Sequence, residues 1–156
     1  PAHRDTPGLR ATPMGTDREY LVTGPVSDLA DGSPVCLRDL GPLRIVVPGK
    51  ANARRAKIDA YLAAQGVEIE EMLELDAMLG TLELVARSDW MAILPGILCL
   101  PDAQGVQRKL HPIEGPEMTV DYVRIEPASR SLGDAAAAFD AMVQDELDRA
   151  LAWSRP

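Results

Sequence analysis

A run of five almost wholly apolar residues, 90–94, is the feature that most restricts how this chain folds. Pro95 and Gly96 stop the run, so it has the length of a β-strand and is far too short to cross a membrane. A strand that is apolar on both faces is typical of a sheet with helices packed on each side. The run therefore predicts an α/β domain built around a buried strand.

The segments around this run alternate between strand and helix patterns. Apolar and alanine positions recur at helical spacing over 52–65, which predicts a helix with Arg54, Arg55, Lys57 and Asp59 mostly outward. Gly66 is predicted as the C′ residue that follows this helix. Asp76 stands where an N-cap is expected, ahead of a helix over 78–86 with Leu79, Leu82 and Val85 on one face. Strands that alternate with helices indicate an α/β fold. The other predicted elements are strands over 19–24, 43–47, 67–75, 107–112 and 118–125, a helical turn over 37–40, and a helix over 134–153.

The same patterns predict which residues are buried. We expect five or so strands in an open, twisted sheet. Residues 1–17 contain several prolines and glycines, and they are expected to be an extended lead-in without regular structure. The sheet interior is predicted to contain Leu21, Ile45, Leu73, Ile93 and Val123, and the C-terminal helix to turn Phe139, Met142, Val143, Leu147 and Leu151 inward.

Size and charge restrict the partners of the chain. Its 156 residues, 46% of them hydrophobic, suffice for one domain with a real core but not for two. The net charge is −8, and no basic stripe with interleaved aromatic residues is present. Because nucleic-acid affinity comes largely from Lys and Arg that neutralise phosphates, we expect no direct DNA or RNA binding by this chain.

Residues suited to catalysis or metal binding are few. The two histidines are His3, in the lead-in, and His111, which precedes a proline at a strand end and is interpreted as a surface residue. No nucleophile elbow or glycine-rich phosphate loop occurs, and two separate histidines do not form a His-rich metal site. The acidic run 68–71 is interpreted as a solvated strand face. The sequence therefore predicts no enzyme activity, no metal and no cofactor.

One corner of the chain has the chemistry of an anion site. The strand 43–47 ends at Pro48 and Gly49, and a helix begins within a few residues, at Lys50, Ala51 and Asn52. Free backbone N–H groups at a helix N-terminus, together with the helix dipole, attract anions. In the alternative interpretation, Asn52 only caps its own helix and Lys50 points to water.

Residues 82–95 resemble the most recognisable segment of the effector-binding domain of LysR-type transcription regulators. In that family a helix ending in a leucine-valine-alanine patch runs through a tight turn into a buried strand closed by Leu-Pro. Other segments resemble the family in the same order, namely 7–10, 19–22, 37–40 and the alanine-rich C-terminal helix with Phe139. Ser88, Asp89 and Trp90 depart from the family, which mostly places glycines in that turn.

The resemblance implies two periplasmic-binding-protein-like (type 2) lobes, each a mixed twisted sheet flanked by helices, with a small-molecule effector between them. It implies that residues of about 18–95 form the second lobe and 96–156 the return strands and the C-terminal helix, with the first lobe incomplete. The family's second-lobe contacts come from the corner that maps onto Pro48–Asn52. The resemblance further implies a cytoplasmic homo-oligomer that pairs through helices, with 78–86 as the second-lobe candidate, and an effector with an anionic group. DNA contact would belong to an N-terminal helix-turn-helix domain that this chain lacks.

A second hypothesis stays open, because solute-binding proteins of transport systems share this fold. The long C-terminal helix and the short turn into Ile93, Leu94 and Pro95 favour the regulator.

Overall fold

A computed structural model describes residues 7–103 and 107–154, with Ser154 described by its backbone only. Within these residues the chain forms six β-strands, four α-helices and two short 3₁₀ turns, at Leu37–Asp39 and Leu100–Asp102. The strands are β1 (Leu9–Thr23), β2 (Leu43–Val47), β3 (Ile69–Glu74), β4 (Met91–Pro95), β5 (Lys109–Pro112) and β6 (Thr119–Pro127). The helices are α1 (Ala53–Gln65), α2 (Met78–Arg87), α3 (Gly96–Cys99) and α4 (Asp134–Ser154).

The strands form a mixed sheet in the order β3-β2-β4-β1-β5. Strand β2 runs parallel to β3 and β4, whereas β1 pairs antiparallel with β4 and β5. Ala92, Ile93 and Leu94 of β4 are buried. The buried central strand and the α/β class that the apolar run predicted are therefore confirmed.

The two faces of this sheet bury separate apolar clusters. One face places Leu21, Ile45 and Ile93 against Ile58 and Leu62 of α1. The other face places Tyr20, Val22 and Val46 against Val85 of α2. Neighbouring residues of β1 thus enter different clusters, as the two-residue period of a strand requires. The predicted burial of Leu21, Ile45 and Ile93 is confirmed.

Strand β1 begins much earlier than predicted. Residues 1–6 of the expected lead-in lie outside the described residues, but Leu9–Arg18 pair with β6 in an antiparallel ladder that has an irregularity between Pro13 and Gly15. The prediction of an irregular lead-in is therefore wrong from Leu9 onward. Pro13 and Gly15 suggested a loop, but pairing with a segment about 100 residues away supplies the backbone partners. Strand β1 thus takes part in three ladders, first with β6 and then with β4 and β5 on its two edges.

Two residues assigned to the interior are not fully buried. Leu73 is 38% exposed, because β3 is the edge strand and pairs only with β2 among the described strands. Val123, on β6, is half-buried. The alternation of apolar and polar residues predicted both strands correctly, but it does not indicate whether a second layer covers their apolar face.

Helix α4 is only partly packed. Leu147 and Leu151 are buried as predicted, and Leu151 packs so closely on β1 that a Cβ at Gly15 would lie 2.4 Å from its Cδ1 atom. In contrast, Phe139 is 67% exposed, and Met142 and Val143 are also exposed, so the prediction for these three residues is wrong. Among the described residues of α4, the buried apolar side chains lie in its C-terminal half, at Leu147, Ala150 and Leu151.

Two further side chains on the helices differ from expectation. Arg55 was predicted to point outward but is buried, where it binds Asp59 and Glu74 and donates to the Pro48 carbonyl oxygen. Leu79 of α2 is exposed rather than inward. Gly66, in contrast, caps α1 in the left-handed region at φ 62°, as predicted.

Candidate functional site

The predicted corner lies at the edge of the sheet where the parallel strands β2, β3 and β4 end. Pro48 and Gly49 follow β2 and are half-buried, whereas Lys50 and Ala51 are exposed. Asn52 is the N-cap of α1, and its side chain accepts a hydrogen bond from the Arg54 N–H at 3.0 Å. In open α/β sheets, ligands bind outside the carboxyl ends of the strands, and the corner occupies such a position.

The backbone donors of this corner are partly engaged. The Gly49 N–H donates to Asp76 Oδ1 at 2.9 Å, and the Asn52 N–H donates to the Gly49 carbonyl oxygen at 2.9 Å. Within the described part of the chain, the N–H groups of Lys50 and Ala51 have no hydrogen-bond partner. Pro48 has no N–H. An incoming anion would therefore meet the N–H groups of Lys50 and Ala51 rather than that of Gly49.

Asp76 was predicted as the N-cap of α2, and this is wrong. The N-cap residue is Ala77, which makes no side-chain cap, and the Asp76 carboxylate instead reaches across to Gly49. A Cβ at residue 49 would lie 2.7 Å from Asp76 Oδ2, so glycine is needed there for the carboxylate to approach. The corner thus already attracts one carboxylate, that of the protein itself.

A small cavity of about 50 Å³ opens beside this corner, between the ends of β2 and β4 and the first turns of α1 and α2. Most of its wall is apolar. The polar side chains in the wall are those of Asn52, Arg54, Asp76 and Thr81. The other lining residues are Val46, Val47, Pro48, Leu75, Met78, Ile93 and Leu94.

Arg54 is the cation of this cavity. Its Nη2 donates to Glu19 Oε2 at 2.6 Å and to the Ile93 carbonyl oxygen at 3.2 Å, while its buried Nε has no partner among the described residues. The Arg54 side chain is 24% exposed, and that of Glu19 is only 1% exposed. Burial raises the pKa of Glu19, and the charge of Arg54 opposes that rise. Arg54 is thus held by a buried carboxylate of β1 with part of its guanidinium free to bind.

Sequence reasoning placed Arg54 outward, although a local signal was available. Helical side chains lean toward the helix N-terminus. Arg54 comes two residues after the N-cap, so its side chain leans back over the strand ends. An arginine in the first turn of a helix that follows a strand end is therefore a candidate for the site, not for the outer surface.

Thr81 is the second residue that sequence reasoning missed. It is 5% exposed, lines the cavity from the first turns of α2, and its hydroxyl makes no hydrogen bond with the described residues. Because Thr81 lines the cavity, its hydroxyl is available to a ligand or water there. The signal was a lone threonine on the face of α2 that also carries Val85, four residues later.

A second polar cluster lies on the same side of β1, two residues before Glu19. Asp17 is buried, and its Oδ2 accepts from the Ile97 N–H at 2.8 Å and from the Tyr122 hydroxyl at 3.2 Å. Burial and the neighbouring Asp17 charge raise the pKa of Tyr122. Asp17 therefore ties β6 and the start of α3 to the strand that also carries Glu19.

His111 lies inside the sheet and not on the surface, so its predicted exposure is wrong. It is fully buried on β5, and its Nε2 lies 3.0 Å from the Thr23 hydroxyl of β1. Burial lowers the pKa of His111. The proline after His111 suggested a strand end, but residues 30–33 pack against β5 and contribute to the burial of the imidazole.

The described residues contain neither a cluster of metal-ligating side chains nor a membrane-spanning helix. Across residues 7–103 and 107–154, no three His, Cys, Asp or Glu side chains cluster in a way that would hold a metal ion. No helix in the same ranges is both long and apolar enough to pass through a bilayer.

Comparisons with solved structures relate this geometry to known proteins. The regulatory domain of CcmR from Synechocystis, in complex with 2-PG, has a TM-score of 0.71 at 14% identity, over 94% of this chain and 67% of that one. An OxyR C206 mutant from Corynebacterium glutamicum has a TM-score of 0.76 at 13% identity, over 96% and 47%. The BenM effector-binding domain with benzoate has a TM-score of 0.73 at 16% identity, over 97% and 68%. These similarities show a shared fold, and the chain spans between about half and two thirds of the length of these proteins.

The family comparison is more specific. No curated protein sequence matches the chain. The model of the LysR substrate binding domain, however, matches residues 1–148. This match covers nearly the whole chain, agrees with the mixed sheet and its flanking helices, and favours the regulator over a transport protein. The chain belongs to the LysR substrate-binding domain family.

Proposed function

We propose that this chain is the effector-sensing domain of a LysR-type transcription regulator, and that it is regulatory and not catalytic. The observation that carries the proposal is the family match over residues 1–148. The donors that converge on one small cavity at the strand ends agree with it. The effector is a small molecule with an anionic group that binds at Pro48, Gly49, Lys50, Ala51 and Asn52.

The corner supports an anionic effector for electrostatic reasons. The N–H groups of Lys50 and Ala51 lie at the N-terminal end of α1, a helix of 13 residues, and have no described partner. The Lys50 ammonium is exposed and makes no ion pair with the described residues. Among similar structures, that of CcmR is described with 2-PG and that of BenM with benzoate, which is a carboxylate.

Strand β1 offers a route from binding to regulation. Its first part pairs with β6 and its second part with β4 and β5, so it connects the lobe of about 18–95 with the ladder that α4 covers. Glu19 of β1 holds Arg54 at the cavity. An effector that binds one arrangement of the two parts more tightly shifts the population toward it, by as much as its difference in affinity.

The same proposal includes partners. A homo-oligomer is supported by exposed apolar side chains on α2 and α4, namely Leu79, Phe139 and Met142. DNA contact belongs to a helix-turn-helix domain of the intact, cytoplasmic regulator, since this chain has a net charge of −8.

The test is a titration of the ¹⁵N-labelled chain with acetate and with acetamide, its neutral counterpart of similar shape. We expect acetate, but not acetamide, to shift the amide resonances of Lys50 and Ala51. Lys50→Ala should weaken the acetate response. In the intact regulator the same substitution should weaken the response to effector and leave DNA binding unchanged. Equal shifts with acetamide, or shifts confined to another strand end, would contradict the proposed site.

A further inference from the structure

We propose that the cavity beside Arg54 and Thr81 binds the head of a small acid that carries a hydroxyl or ammonium group on the carbon next to its carboxylate. The inference rests on the proposed function, because it names the ligand class of the same site. It adds Arg54, Thr81 and Asp76 to the corner as the residues that determine specificity.

One side of the cavity supplies donors for the carboxylate. Arg54 uses Nη2 for Glu19 and Ile93, so its Nη1 and its buried Nε have no partner among the described residues. Thr81 is only 5% exposed, and its hydroxyl also has no hydrogen-bond partner among the described residues. Because Thr81 is on α2 and Arg54 is on α1, two independent elements line the cavity with donors that have no described partner. A carboxylate would satisfy both.

The other side supplies an acceptor. Asp76 Oδ1 accepts a hydrogen bond from the Gly49 N–H. Asp76 Oδ2 accepts none within the described part of the chain. A ligand that offers only a carboxylate and an apolar carbon would bring a negative charge next to Asp76 without compensation. A hydroxyl or ammonium group on the neighbouring carbon can donate to Asp76 and offset that repulsion. Asp76 therefore selects for a donor adjacent to the carboxylate.

The volume of the cavity restricts how much of the ligand it encloses. About 50 Å³ is space for a few heavy atoms, since one water needs on the order of 10–15 Å³ by the same measure. Whole-metabolite pockets are several times larger, at about 300–1,000 Å³. The cavity therefore encloses only the charged head, and the remainder of the ligand extends out of it.

Three probes that differ at one position test the inference on the ¹⁵N-labelled chain. Acetate, glycolate and glycine share a carboxylate and carry hydrogen, hydroxyl or ammonium on the next carbon. We expect glycolate or glycine to shift the amide resonances of Lys50, Ala51 and Thr81 at concentrations about fivefold lower than acetate. A difference in affinity of about fivefold is what one additional net hydrogen bond contributes. Whichever of these two probes binds more tightly identifies the effector class as a hydroxy acid or an amino acid.

Variants assign the effect to particular side chains. Asp76→Asn keeps an acceptor for the Gly49 N–H and should remove the preference over acetate. Thr81→Val should weaken all three probes and Thr81→Ser should restore them. Arg54→Gln should abolish detectable binding, whereas Arg149→Gln, the same charge change on the exposed face of α4, should leave binding unchanged.

The outcomes separate this inference from the proposed function. If acetate shifts the corner resonances as readily as glycolate and glycine, or if Asp76→Asn leaves the preference intact, the inference is wrong and the anion site stands. If none of the three probes shifts the corner resonances, the inference and the proposed anion site both fail, while the family membership stands.

Discussion

Replacing Arg54 with glutamine should destabilise the fold in a pH-dependent way. Arg54 faces Glu19, whose side chain is 1% exposed, and removing one partner of a buried ion pair costs about 3–5 kcal/mol. Arg54 itself is 24% exposed, and glutamine retains some hydrogen bonding, so we expect a smaller loss at pH 7 of about 2 kcal/mol. For a chain of this length the loss corresponds to a decrease in Tm of about 4–8 °C.

The pH dependence follows from the carboxyl group that is left behind. Burial already raises the pKa of Glu19 above its ordinary value of 4.5, and Arg54 opposes the rise. Without Arg54 the folded-state pKa increases further, so the folded variant retains a proton that the unfolded chain has released. The favourable contribution of protonated Glu19 is complete below about pH 4.5 and is lost as the pH rises through the folded-state pKa. The difference in stability between the variant and the parent chain should therefore be small near pH 4.5 and largest at neutral pH.

Urea unfolding followed by circular dichroism at several pH values measures this difference. Glu19→Gln supplies the control, because in that background Arg54→Gln should cost much less and should lose its pH dependence. An equal loss at pH 4.5 and pH 7, or additive effects of the two substitutions, would refute the role assigned to the pair.

Three other predictions concern the rest of the chain. Leu21→Ala should lower the free energy of unfolding by about 2–5 kcal/mol, whereas Leu73→Ala, on the exposed edge strand, should lower it by less than about 1 kcal/mol. Similar losses for the two variants in urea unfolding would contradict the assignment of β3 to the sheet edge. Burial lowers the pKa of His111, so the contribution of its neutral form to folding stability is complete above about pH 6.5 and is lost as the pH falls toward the folded-state pKa. His111→Gln should therefore flatten the acidic part of a plot of Tm against pH. Phe139→Ser should leave stability within about 0.5 kcal/mol and should raise the concentration at which light scattering detects self-association; unchanged association would remove α4 from the interface.

The sequence alone determined the fold class and most of its elements. The apolar run ahead of Pro95 required a strand covered on both faces, and β4 is such a strand. Gly66 marked the end of α1 because its left-handed conformation is a local property of the backbone. The corner after β2 was also recognisable, since a strand end, a glycine and a helix start follow one another along the chain.

Only the tertiary structure decided which surfaces are covered and which polar groups meet. Leu9–Arg18 became a strand through pairing with β6, and Phe139 stayed 67% exposed although its helix is amphipathic. Arg54, Thr81 and Asp76 come together from separate segments around one cavity. Periodicity reports the face that a residue occupies within its own element, whereas contacts between distant elements depend on the packing of the whole chain. For this reason the corner was visible in the sequence, while the side chains proposed to give it specificity were not.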